Sequence, residues 1–366
     1  MYKRQVTSDG DLTTGSKFID NTKVRHVDAN YNFSHITSDF ADIQVGGSYR
    51  EYELNSQGTI FTDIDGPISY NEYGAYMQLQ KKLMDERLKI TGSVRYDKNE
   101  FFDGFFSPRI SLLYNFGELK NQNLRVSYQK GFRNPTTQDL FIGLDAGAAV
   151  LVGSAPDNLD RDIRTFDLTP SGQALTGMPT AQVVGRAAYE NAYSVSSVLA
   201  GAPMAVNTPI VKPEEISAYE VGYRAQFGQI AIDISAYYNE YTDFLSQTNV
   251  FVPFYGQAGD GGLSLLALQN GDSRVYLAYT NSPTEVQSIG ATGGIEAKVF
   301  GDFDIGANYT YADLDFDQAT FPDFRTNFNT PEHKFKAFFG NTDLFENFGF
   351  RVNYRWSDEY LWQASF

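Results

Sequence analysis

Between residues 88 and 98 apolar and polar side chains alternate without a break. Leu88, Ile90, Gly92, Val94 and Tyr96 fall on one face, and Lys89, Thr91, Ser93, Arg95 and Asp97 on the other. The same period of two returns in 229–239, with Ile230, Ile232, Ile234, Ala236 and Tyr238 set against Asp233, Ser235, Tyr237 and Asn239. It returns again in 303–311 and in 348–356, where Phe348, Phe350, Val352, Tyr354 and Trp356 oppose Gly349, Arg351, Asn353 and Arg355. A strand places successive side chains on opposite faces, so each segment predicts a strand with one greasy and one wet face. About twelve are predicted, near 22–34, 41–54, 68–82, 88–98, 105–116, 123–133, 214–227, 229–245, 286–300, 303–316, 328–340 and 348–357. Each has at least about the 9–11 residues that a tilted strand needs to cross a bilayer.

The connections alternate as well. Short turns are expected at 36–40, 83–87, 117–122, 228, 301–302 and 341–347. Longer loops are expected at 55–67, 99–104, 134–213, 246–285, 317–327 and after 357. Short turns on one rim and long loops on the other are the pattern of a membrane β-barrel, whereas a soluble sandwich gives no reason for strict alternation. The hairpins at Gly228 and at 301–302 should lie opposite loop 134–213. The wet face carries mid-strand charges, Arg95, Arg125, Arg224, Glu296 and Arg351 among them. A small barrel fills its interior with side chains, whereas a wide one leaves a watery lumen that tolerates these.

Composition agrees with this picture. No apolar run approaches the ~20 residues of a spanning helix. Phe (29) and Tyr (24) are abundant, as the aromatic girdles of a barrel require. The net charge of −16 argues against nucleic acid as a partner. The absence of cysteine is compatible with passage through an oxidising compartment. The start, with Lys3 and Arg4 but no apolar core after them, is not a signal peptide. Residues 361–366 stop inside what reads as a strand. Both ends look cut, and the chain reads as an internal fragment.

Three segments carry a family resemblance. Gly131-Phe132-Arg133-Asn134-Pro135 followed by Asp139-Leu140, then Lys212-Pro213-Glu214 leading into Tyr219-Glu220-Val221-Gly222-Tyr223, then Tyr237-Tyr238-Asn239-Glu240-Tyr241-Thr242-Asp243-Phe244, resemble in order the recurrent segments of TonB-dependent outer-membrane receptors. The resemblance covers nearly the whole chain. It implies an all-β fold: a transmembrane antiparallel β-barrel of 22 strands closed by an N-terminal plug, of which residues 1–366 would supply about twelve strands and the long extracellular loop 134–213. It also implies residence in the bacterial outer membrane, contact with its lipid, a solute ligand, and the TonB energy-coupling protein as partner through an N-terminal region lacking here.

Candidate site residues follow from position. Arg133, Asn134, Gln138 and Asp139 sit where strand 123–133 enters the longest loop. They either touch substrate at the mouth or anchor the loop, with Pro135 ending the strand; the anchoring reading is favoured. Phe254 and Tyr255, with Phe251, Tyr276 and Tyr279, either grip a sugar or chelate or cluster among themselves. Within the long loop a helix is expected over 182–200, with Pro179 near its start and Gly201 at its C-cap. Asp313, Asp315 and Asp317 alternate like a calcium loop, but Gln318 and Phe324 stand where its Gly and Glu are required. His26 and Asp28 share a wet strand face without a recognisable nucleophile. No catalytic residue, metal or cofactor is expected. The resulting expectation is energy-coupled import of a scarce, bulky solute. A passive porin or surface-binding barrel is the alternative, followed by a barrel enzyme.

Overall fold

The computed structural model describes residues 18–37 and 39–363. The reading of Lys3 and Arg4, and the part of the terminal segment at 364–366, lie outside them. Twelve strands form a single antiparallel wall: β1 (Lys23–Asn32), β2 (Asp42–Leu54), β3 (Ile68–Leu83), β4 (Leu88–Asn99), β5 (Phe105–Phe116), β6 (Gln122–Arg133), β7 (Glu214–Phe227), β8 (Ile230–Thr242), β9 (Val286–Val299), β10 (Phe303–Asp315), β11 (His333–Phe345) and β12 (Phe348–Ser357). Each pairs with its neighbours in chain order, so β1 and β12 are the edges of an open sheet.

All twelve predicted strands are present, with local corrections. The strand expected over 328–340 begins at His333, because Pro331 has no N–H to offer the ladder. It then runs on to Phe345 across a register shift after Asn341, so the turn expected at 341–347 shrinks to Glu346 and Asn347. The strand expected over 229–245 stops at Thr242. There Asp243 takes a left-handed φ of +52° and turns the chain out of the wall. Residues 358–363 are not strand. Phe227 pairs with Ile230 and Val299 with Phe303, which makes the hairpins at Gly228 and Gly301–Asp302 tight, as expected. Gly228 (φ +57°) supplies the left-handed residue that such a turn needs. Because the strands alternate in direction, these turns lie on the rim opposite loop 134–213.

Cross-strand register sorts the two faces. Tyr219 faces Tyr128 and Tyr238, Val221 faces Val126 and Ala236, and Tyr223 faces Leu124 and Ile234. The other face pairs charge with charge: Arg125 lies 3.2 Å from Glu220, Arg224 is bonded to Asp233, and Lys298 lies 3.6 Å from Asp304. Glycine has a further use on this wet face. Gly46, Gly74, Gly222, Gly290 and Gly306 each lie beneath the side chain of the residue directly opposite, namely Tyr76, Asp97, Arg125, Tyr237 and Phe338. A Cβ at any of them would collide with that side chain.

The long connections do not hang as separate loops. Parts of 134–213, 243–285 and 316–332 assemble a second sheet of seven strands, a cap. Its centre is an antiparallel pair, Leu245–Pro253 against Ser273–Asn281. Val150–Val152 adds to it in parallel, alongside Tyr276–Ala278, and Ala192–Ser194 and Phe324–Arg325 pair with Leu245–Pro253. Val150, Val152, Leu159, Tyr189, Val250, Val252 and Tyr276 form its buried core. The Tyr189 hydroxyl is 3.0 Å from the Val152 carbonyl and 3.1 Å from that of Tyr279.

The helix expected over 182–200 is absent. Thr180–Val184 is a strand paired with Ile163–Asp167, burying Ala181 and Val183 and exposing Gln182. Short helices Ala187–Glu190 and Val195–Leu199 follow, separated by the strand Ala192–Ser194. Helical propensity yields here to burial of alternate residues. Pro179 precedes a strand; Pro170 is the proline that opens a helix, Pro170–Thr176, capped by Thr169. Gly201 (φ +75°) does follow the last short helix in the left-handed conformation.

Candidate functional site: the mouth and its cap

The strand end at Arg133 meets the roots of the cap. Arg133 lies 2.9 Å from the Glu214 carboxylate and donates to the Leu245 carbonyl at 3.0 Å, and Glu214 also accepts from the Leu245 N–H at 2.7 Å. Glu214 is 7 % exposed, so its charge is held by these donors rather than by water. Asn281 ties the same roots from the other side, accepting from Lys212 N and donating to the carbonyls of Lys212 and Asp243.

The remaining predicted residues are spread out. Asp139 and Thr136 form the capping box of the helix Thr137–Phe141. Gln138 donates to the Tyr279 hydroxyl at 2.5 Å, and burial pushes the Tyr279 phenol up to about 12. Phe254 stacks on Phe166 with ring centroids 4.5 Å apart and packs against the cap core. The Tyr255 hydroxyl donates to Asp272 at 2.9 Å and accepts from Asn270 at 3.1 Å, and burial raises its phenol above the ordinary value. Thus the aromatics of 246–285 are engaged with the cap itself. Asp317 accepts from the Thr320 N–H in a local turn.

Of the six predicted residues, only Asn134 lines the cavity at the mouth. This space, about 460 Å³, lies between the wet face of β1–β4 and residues 132–137. His26, Arg50, Tyr52, Glu72, Arg95 and Asp97 also line it. Most of its charges are matched internally, while Lys98 donates to the Phe102 carbonyl. Arg95 grips both oxygens of Asp97 at 2.6 Å, and Arg50 reaches the Tyr52 hydroxyl at 3.0 Å and Glu72 at 3.5 Å. Such a surface offers hydrogen bonds to a solute without a strong net field. Among the described residues no group of three or more His, Cys, Asp or Glu is placed to hold a metal ion. Arg50, Tyr52 and Glu72 were missed in the sequence, where they read only as wet-face strand positions. Their signal was charge at alternate positions on adjacent strands, and register was needed to bring them together.

A barrel-like wall with tight turns on one rim and a folded cap on the other defines the class. The family model for the TonB dependent receptor-like β-barrel matches residues 2–365. The chain belongs to this family. Its fold is similar to that of the ferric enterobactin receptor PfeA of Pseudomonas aeruginosa (TM-score 0.57, 13 % identity, covering 92 % of this chain and 41 % of that one). It is also similar to the siderophore receptor PirA of the same organism (TM-score 0.54, 12 % identity, 89 % and 47 %) and to the FrpB iron transporter of Neisseria meningitidis (TM-score 0.52, 12 % identity, 91 % and 42 %). The chain therefore spans less than half the length of these solved relatives. No curated protein sequence matches it significantly.

Proposed function

We propose that the protein to which this chain belongs imports a scarce, bulky solute across the bacterial outer membrane, using energy relayed by TonB. The observation that carries the reading is the family match over nearly the whole chain, on a wall with one apolar and one charge-paired face. The apolar face meets lipid and the charged face lines the passage. The cap covers the outer mouth, where the solute is first held. Arg133 acts through Glu214 to set the cap on its roots, and Asn134 and the Arg50–Tyr52–Glu72 group present hydrogen bonds to the solute. Iron chelates are the first solutes to try, because the solved relatives named above are siderophore receptors and an iron transporter.

The test is uptake of radiolabelled ferric chelates, and of a panel of oligosaccharides and cobalamin, by cells with and without this receptor. Saturable uptake of one solute that disappears when TonB is deleted is expected. Receptor-dependent uptake that persists without TonB and rises linearly with concentration would show a passive pore instead.

A further inference from the structure

Adjacent wall strands need only a short connection, yet β10 and β11 are joined by residues 316–332, and this segment turns inward. Its tip pairs with the cap through two residue pairs, Gln247 with Arg325 and Thr248 with Phe324. Its other end reaches the wet face of the wall. There Phe328 lines a groove of about 580 Å³ together with Arg109, Gln129, Tyr237, Asn239 and Ser288, which come from β5, β6, β8 and β9. The segment thus runs from the cap to the wet face of the wall and sets one aromatic ring in a groove lined by amides, hydroxyls and the Arg109 guanidinium.

One carboxylate fastens it. Asp323 accepts from the Ser196 N–H at 2.9 Å, the Ser196 hydroxyl at 3.0 Å and the Ser194 hydroxyl. Ser194 and Ser196 belong to the cap, more than a hundred residues earlier in the chain. Besides this clasp the segment has a two-pair ladder, the buried ring of Phe324, the Asn249 N–H on the Asp323 carbonyl at 3.2 Å, the Asn249 amide against the Arg325 guanidinium, and polar contacts from Ser246 and Gln363. A short ladder with few buried side chains opens locally at a small fraction of the global unfolding free energy. The charge-assisted bonds to the Asp323 carboxylate then contribute substantially to what keeps it shut.

We propose that residues 316–332 are a gate strap. Asp323 clasps it to the cap, Phe328 obstructs the lumenal groove, and undoing the clasp swings the ring aside and opens the groove to large solutes. The proposal takes its purpose from the import reading. Its test reads only access to the groove, so a failure here leaves import standing, and a failure of TonB-dependent uptake leaves the strap standing.

These 366 residues hold no cysteine, so Ser288→Cys is placed as a single reporter in the groove, in a receptor whose other cysteines, where present, are replaced by serine. Labelling of the receptor in isolated outer membranes is followed with a small methanethiosulfonate and with a bulky polyethylene-glycol maleimide. With the clasp intact the small reagent should react and the bulky one should lag. Asp323→Ala should raise the bulky-reagent rate about tenfold or more, as loss of several bonds to a charged group implies, and leave the small-reagent rate nearly unchanged. Ser194→Ala combined with Ser196→Ala removes the two hydroxyl bonds from the cap side but leaves the Ser196 N–H bond, and should raise the bulky-reagent rate in the same direction by a smaller factor, which keeps the test usable if the Asp323 variant does not fold. Bulky-reagent rates that are equal in clasped and unclasped receptors of normal heat-modifiable mobility would overturn the gate. So would bulky labelling of the clasped receptor as fast as the small reagent.

Discussion

The wall and the cap are both β-sheet, but they are built by opposite rules. In the wall every strand pairs with the next strand in the chain, so each hairpin is closed by a short turn or by a loop whose ends are already neighbours. In the cap, Val150–Val152 lies beside Tyr276–Ala278, and Ala192–Ser194 beside Val250 and Phe251, partners separated by most of another loop. The wall buries little, because both of its faces meet solvent or lipid, and its stability rests on ladders and cross-strand pairs. The cap is a small conventional domain with a core of Val, Leu and Tyr side chains, some of them fully buried. The comparison teaches that one chain can hold a sheet specified by local alternation and another specified only by what three loops can bury together.

The sharpest way to break the comparison is to empty the cap core. Tyr189→Ala removes a ring that is 2 % exposed and both of its hydroxyl bonds, and should destabilise the cap by about 3–5 kcal/mol. Hydrogen exchange should then speed up in 143–206 and 245–281 while the wall amides keep their protection. If wall and cap lose protection together, they are one cooperative unit and the distinction fails.

A charge on the wrong face tests the wall. Val221→Arg on the apolar face should cost about 2–4 kcal/mol and lower the yield of folded receptor in detergent or lipid. Glu220→Gln, one residue away on the wet face, should cost much less, because it weakens one exposed pair with Arg125. Equal losses at the two positions would mean that the faces are assigned wrongly.

The glycines sharpen the same point. Gly290→Ala would drive a methyl group into the Tyr237 ring and should cost about 1–3 kcal/mol, whereas Gly293→Ala, with open space around its Cβ position, should be nearly neutral. Urea midpoints of the two variants in detergent decide this. Tyr237→Ser should relieve the Gly290→Ala defect if the collision is its cause.

The smallest effect is expected from pH. Burial pushes the Asp162 carboxyl up, although Arg164 lies 2.9 Å away. An acid whose folded value exceeds its unfolded value binds protons more readily in the folded cap. Its contribution therefore favours the cap at low pH and is lost as pH rises from the unfolded aspartate value, about 3.9, through the folded one. Asp162→Asn should flatten that dependence in cap protection measured by hydrogen exchange. An unchanged pH profile would show that Asp162 is as well solvated in the cap as in the unfolded chain.

The wall was legible because alternation is a local property. Leu88 to Asp97 or Phe348 to Trp356 show their two faces without reference to any partner, and a slip of one residue would send Arg95 or Arg351 into lipid. The turns were legible where glycine marked a left-handed residue, at Gly228 and Gly301, and less so at Glu346–Asn347, where Asn347 rather than a glycine takes the left-handed conformation. The anchoring role of Arg133 and Asp139 was legible from their position, but the partners of the predicted mouth residues were not. Arg133 became a clasp for Glu214 and Leu245 because Leu245 arrives from a connection more than a hundred residues away, and Phe254 and Tyr255 found partners in Phe166 and Asp272. By itself the sequence determined the strands, their order and their two faces, because a period-two pattern fixes each strand's orientation and short turns fix its neighbours. Only the tertiary structure decided the cap, the cavity between Asn134 and Arg50, and the strap carrying Phe328. Each of these depends on non-local burial and on charges brought together from loops far apart in the chain, and no local pattern records which loops will meet.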